Sequence, residues 1–192
     1  MFRYNLSTVF LLLAAFLVQQ FIPAFIGLSH SRILIVQLVF LCAAVTVATP
    51  TMLLLALIGG TLWDAHCSLA SIAGDPAVYT QPVESLRFGY SILLFAAMGF
   101  LMQGLNPLFR QGKWYFSALL TGVAIFLYLA AEYILISFVR GDFTITRSIF
   151  RLLGYTSFLT MLLSPIIFWL LFHIAKFCGH SLYPEAHRAK RR

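Results

Sequence analysis

Long apolar runs, each closed by a charge, a proline or a glycine, set the pattern of this chain. Six stand out: Leu6 to Phe25, Ile33 to Ala48, Thr51 to about Trp63, about Phe88 to Leu105, Tyr115 to Val139, and about Leu153 to Ala175. Within each run the apolar residues are continuous rather than alternating, so the period of a barrel strand is not followed and helices are predicted. Between the second and third runs only "VATPTM" remains, and Pro50 there predicts a tight reversal that makes the two helices antiparallel neighbours. The third run, which leads into "ALIGGTLWDAHCSL", is short for a span. It predicts a helix that stops below the far surface or breaks at Gly59-Gly60. Gly59, Gly60, Gly89, Gly99, Gly104, Gly122 and Gly154 supply places where helix backbones can approach, and Pro165 predicts a kink in the sixth helix by freeing the Met161 carbonyl.

Composition says what surrounds these helices. The chain is 61% hydrophobic and 10% charged, with a mean hydropathy of +0.92, far from a soluble domain at about half apolar and a quarter charged. An all-α integral membrane protein of about six transmembrane helices is expected. It forms one polytopic domain over 1–192, with a periplasmic loop at 70–86, a basic cytoplasmic tail at 176–192 and no room for a soluble domain. Arg3 in front of "LLLAAFLV" imitates a signal peptide, but "QQFIPAF" follows without the small residues of a cleavage site, so the first helix is expected to remain. With the N-terminus in the cytoplasm, Arg3, Arg110, Lys113, Lys176, Arg188, Lys190, Arg191 and Arg192 lie inside and Arg32, Arg87, Arg140, Arg147 and Arg151 outside. The excess favours both termini inside. The terminal "HRAKRR" then reads as attraction to anionic lipid, at about 1 kcal/mol per basic residue near the surface, and not as a nucleic-acid contact.

Candidate chemistry is sparse. Six acidic residues are present, and the chain has no phosphate-cradling glycine loop, no nucleophile elbow and no zinc-protease histidine pair. No catalytic residue is assigned, and an enzyme is the least supported class. Cys42, Cys67 and Cys178 lie on different runs without paired spacing. His173, His180 and His187 follow one another at about 10.5 Å along a helix, too far for two imidazoles to share an ion. Neither a metal nor a cofactor is expected. In the inferred topology Asp64 falls at the outer end of the third helix, Arg87 opens the fourth on the same side, and Glu132 lies in the fifth about 10 Å below Val139. Glu132 is the most deeply placed charge, and such groups face the bundle interior with a partner. Arg87, Arg147 and Arg151 are the cations on its side. Asp64 reads as an interfacial cap, as half of an ion pair that sets helix register, or as part of a site. For Glu132 a packing or assembly role stands ahead of proton transfer, and His66 and Cys67 are read as reaching water.

The order "GGTLWDAHCSL", "LRFGYSILLFAAMGFLMQGLNPLFRQGKWY" and "LLTGVAIFLYLAAEYI" resembles the rod shape-determining protein MreD family of bacterial inner membranes, over about Leu34 to Ala175. In that family a Gly-x-x-x-Asp stretch closes the third span, a Phe-Gly or Leu-Gly pair opens the next, and an acidic residue often lies in the one after. Gly60, Asp64, Phe88, Gly89 and Glu132 match those positions. The connection from Asp64 to the glycine pair is longer here, with Gly74, Pro76 and Pro82 marking an extra external loop.

The resemblance implies a non-enzymatic membrane subunit of the cell-elongation machinery, assembling with MreC and through it with MreB, RodA, penicillin-binding protein 2 and peptidoglycan synthesis. Gly60, Asp64, Arg87, Phe88, Gly89 and Glu132 then form a polar cluster that is structural or binds a partner. The alternative is the substrate-binding subunit of an energy-coupling-factor vitamin transporter, a fold that the family is thought to resemble. That function needs an outward-facing apolar pocket with a few convergent polar groups, which Asp64, Glu132 and Arg87 can supply. A scaffold needs a lipid-level or periplasmic surface for partner helices, and the sequence leaves both open.

Overall fold

A computed structural model describes residues 2–23, 31–72, 89–106, 114–140 and 147–179. These residues form six helices and no strand: α1 Phe2–Gln19, α2 Ile35–Thr46, α3 Thr49–Ile72, α4 Tyr90–Gly104, α5 Trp114–Arg140 and α6 Arg147–Phe177. Each of the six apolar runs has become one helix. The cluster residues Arg87 and Phe88, most of the expected loop at 70–86 and most of the expected tail at 176–192 lie outside the described residues.

The third run departs from expectation. Helix α3 neither stops near Trp63 nor breaks at Gly59-Gly60, but continues for 24 residues to Ile72. The loop expected from residue 70 therefore cannot begin there. Asp64 and His66 end the apolar run without ending the helix, because polar residues change what a helix faces while glycine and proline change whether it exists. The next such breakers are Gly74 and Pro76. At the other end, α6 includes Lys176 and Phe177, and Pro165 lies inside it without terminating it.

Helix α2 occupies the centre. Nine consecutive residues, Val36 to Ala44, are buried, because all five other helices pack around it. A helix apolar on every side suits such a position. Its backbone ends are tied by neighbouring side chains. Gln19, at the end of α1, accepts the Ile35 N–H at 2.6 Å and donates to the Ile33 carbonyl at 2.8 Å, supplying the cap that Leu34 cannot. Thr160 of α6 accepts the Leu34 N–H at 3.2 Å. Only Val47 and Ala48 separate α2 from α3, as the reversal at Pro50 requires, and Asn106 donates to the Val45 carbonyl at 2.9 Å beside it.

The aromatic rings of Phe40, Phe95 and Tyr128 join α2, α4 and α5, with centroids 4.9 and 5.5 Å apart. Two tight pairs flank this core. Helix α3 packs along α4, and α5 packs along α6, where Ser157 Oγ donates to the Gly122 carbonyl at 2.6 Å. Residues 117–139 of α5 and the whole of α6 are long and apolar enough to cross a membrane, yet in each only 28% of an apolar 18-residue stretch is buried. Their outward faces carry Leu119, Val123, Leu127, Ile134 and Phe138 on one helix and Phe158, Leu162, Ile166 and Trp169 on the other.

Candidate functional site

The cluster begins at the crossing of α3 and α4. A Cβ on Gly60 would lie 2.6 Å from Ile92 Cα and 2.7 Å from Ile92 N, so the two backbones touch there. One turn further along α3, on the same face, comes Asp64. It is 4% exposed, and its Oδ2 accepts the Gly89 N–H at 2.6 Å. Gly89 is the residue from which α4 starts, and its φ of +102° is a left-handed conformation open to glycine at little cost. The Asp64 carboxylate thus makes a charge-assisted hydrogen bond at the positive end of α4. Gly60, Asp64 and Gly89 form one joint, in which one residue sets the distance between the helices and the other two set where α4 begins.

Glu132 reaches the same region from α5. Its carboxyl group lies beside the Trp63 indole and near Asp64, while Trp63 Nε1 is buried and falls short of full hydrogen-bond geometry with any acceptor among the described residues. Of the expected arginine partners, Arg87 lies outside the described residues and Arg147 and Arg151 are exposed on the first two turns of α6, while Trp63 and Asp64 both act on the Glu132 carboxyl group. His66 is half-buried rather than simply reaching water. Its Nδ1 lies 3.3 Å from Gln20 Nε2, with the Phe16 ring edge-on at 6.0 Å and Trp63 tilted at 6.4 Å. The side chain of Cys67 lies outside the described residues.

Trp63, Phe16 and Gln20 belong to this cluster and escape the sequence reading. One signal for Trp63 was available, since it adjoins Asp64 and so must lie within a quarter-turn or so of it on the helix. For Phe16 and Gln20 none was, because their placement depends on how α1 docks. Among the described residues no three His, Cys, Asp or Glu side chains converge as metal ligands. The arrangement can cap a helix, hold an indole and present two carboxyl groups to a cationic or hydrogen-bonding group. Within it, Gly60, Asp64 and Gly89 join α3 to α4. Compared with family models, with curated proteins and with solved structures, the chain matches none.

Proposed function

We propose that this chain is a non-enzymatic, multi-pass subunit of the bacterial cell-elongation complex, similar to the MreD family. In this reading all six helices lie in the inner membrane with both termini in the cytoplasm. The chain assembles with an MreC-like membrane protein and through it with MreB, RodA and penicillin-binding protein 2. The observation that carries the reading is the α3–α4 joint. Gly60, Asp64 and Gly89 are three of the positions on which the resemblance rests, and they lie at one helix crossing, where Asp64 accepts the Gly89 N–H across 25 residues of sequence and Gly60 lies against Ile92.

The membrane setting has its own support. A core helix of a soluble protein is mostly buried and a signal sequence lies near the N-terminus, whereas α5 and α6 are neither. Leaving such faces in water would cost about 25 cal/mol per Å² of apolar area. Hydrocarbon removes that cost. Helix α2, at about 18 Å, is shorter than the ~30 Å hydrocarbon core, but the five helices around it allow its ends to lie below the surface, where side chains of Gln19, Thr160 and Asn106 satisfy backbone groups.

The transporter reading is favoured by one observation, the convergence of Trp63, Asp64, His66 and Glu132 with Gln20 at one end of the bundle. Expression in a rod-shaped host lacking its own MreD separates the two. Restored rods and recovery of an MreC-like partner in mild detergent are expected. Round cells at normal membrane levels of the protein, together with a co-purified vitamin, would overturn the elongation reading.

A further inference from the structure

The start of α1 and the end of α6 meet where Ser7 Oγ lies 3.7 Å from Cys178 Sγ. Away from that point a groove of about 530 Å³ opens between the two helices, floored by Leu11 and Ala14 of α1 and Leu170 and Ile174 of α6. Phe10 and Phe177, 74% and 86% exposed, stand at its edges. The groove extends from Ser7 to Ala14, about 10 Å along the helix. Its polar groups gather at the Ser7 end and along one wall, where His173 stacks on Trp169 with ring centroids 5.3 Å apart. Two exposed cations lie within a turn of its lining residues along the helices: Arg3, one turn before Ser7 on α1, and Lys176, one turn after His173 on α6.

We propose that this groove binds one acyl chain of an anionic phospholipid, whose phosphate is held by Arg3 and Lys176. The inference rests on the membrane setting given above, and it needs neither the elongation nor the transporter reading. The volume lies within the roughly 300–1,000 Å³ of small-molecule sites. The apolar floor provides the binding surface for the chain, and the long side chains of Arg3 and Lys176, each within a turn of the lining residues, provide the charge complement to a phosphodiester, as basic pockets between membrane helices do for acidic headgroups. Ser7 and His173 add hydrogen-bonding groups nearby. A partner helix fits the groove less well, because it would run the depth of the bilayer whereas this concavity closes after about two turns.

The test uses the full chain in a neutral detergent and reads the thermal unfolding midpoint against added phosphatidylglycerol, phosphatidylcholine of the same chains, or sn-glycerol 3-phosphate. Phosphatidylglycerol is expected to raise the midpoint well beyond phosphatidylcholine, and glycerol phosphate, which lacks chains, to leave it unchanged. Arg3→Gln with Lys176→Gln should weaken the phosphatidylglycerol response by roughly tenfold to thirtyfold in apparent affinity and spare the response to phosphatidylcholine. Ala14→Trp, which fills the floor, should remove both responses. Both cations are exposed, so the double variant folds and decides the matter even where Ala14→Trp does not. Equal responses to the two lipids, or an unchanged phosphatidylglycerol affinity in the double variant, would overturn the inference and leave the membrane setting standing. Recovery of the expressed protein in the soluble fraction would overturn the membrane setting itself.

Discussion

At Gly60 a single methyl group decides whether α3 and α4 can touch. Its Cβ would meet the Ile92 backbone, which cannot swing aside, so Gly60→Ala is expected to destabilise the fold by about 1–3 kcal/mol, as overpacking does. Gly89→Ala is a different case. Among the described residues nothing lies within 4 Å of its Cβ position, and the cost expected is that of the left-handed backbone, about 1–2 kcal/mol. Asp64 extends the comparison. An exposed ion pair would be worth little, but this carboxylate is buried and caps α4. Asp64→Ala should therefore cost about 1–2 kcal/mol by stranding the Gly89 N–H, and Asp64→Asn, which keeps an acceptor, should cost less. Thermal unfolding in detergent measures all four, and an Asp64→Ala protein as stable as the parent would remove the cap from the account. The Gly-x-x-x-Asp spacing made legible that Gly60 and Asp64 share a face. It carried no information on what Asp64 holds, because the acceptor's partner is a backbone N–H 25 residues away at a conformation no residue pattern records.

For the helices as elements, hydropathy located every one and misjudged the end of α3. An apolar run reports where the environment changes, and at Asp64 the environment changes while the helix goes on to Ile72. Nor could the run Ile33–Ala48 be recognised as the central helix, since a segment apolar all round reads the same whether lipid or protein surrounds it. Its one polar interior residue was not singled out. Gln37 is 1% exposed, and neither amide atom has a hydrogen-bond partner among the described residues. Replacing an unsatisfied buried amide by an apolar side chain of similar size is neutral or stabilising, so Gln37→Leu is expected to match or exceed the parent's unfolding midpoint. A loss of stability would mean that the amide is satisfied within the folded bundle. Glu132 on α5 gives the opposite expectation. Beside Trp63 and Asp64, Glu132→Gln keeps an acceptor for the indole and removes a charge of the same sign as Asp64. Glu132→Leu withdraws the carboxyl group that lies beside the buried indole N–H short of full hydrogen-bond geometry, at up to about 1 kcal/mol. The amide variant should therefore be the better folded of the two by yield and unfolding midpoint, and equal behaviour would make Glu132 a bystander.

For the whole molecule, the apolar outer faces of α5 and α6 and the positions of the cations have to be satisfied by one orientation. The proposed six crossings would bring both termini to the same side, which the excess of Lys and Arg in the loops and tail assigned to it predicts to be the cytoplasm. Reporter fusions after Gln111 and after Tyr183 should then report cytoplasm, and fusions near Ala77 and Gly141 should report periplasm. The two shortest helices make this a demanding test. Helix α2 is 12 residues long and α4 is 15, about 18 and 22 Å against a hydrocarbon core of ~30 Å. Each crosses only if its ends are completed by flanking chain or sheltered by the surrounding helices, as the contacts from Gln19 and Thr160 to the start of α2 provide. Should α2 alone fail to cross, everything after it changes sides. The Gln111 and Tyr183 fusions would then report periplasm and the Ala77 and Gly141 fusions cytoplasm, with the Asp64–Glu132 end of the bundle facing inward. Failure of α4 alone would leave Ala77 outside and reverse only the later fusions. The pattern of four reporters therefore separates a failure of α2 from a failure of α4, and only cytoplasm at Gln111 and Tyr183 with periplasm at Ala77 and Gly141 agrees with six crossings and an N-terminus inside.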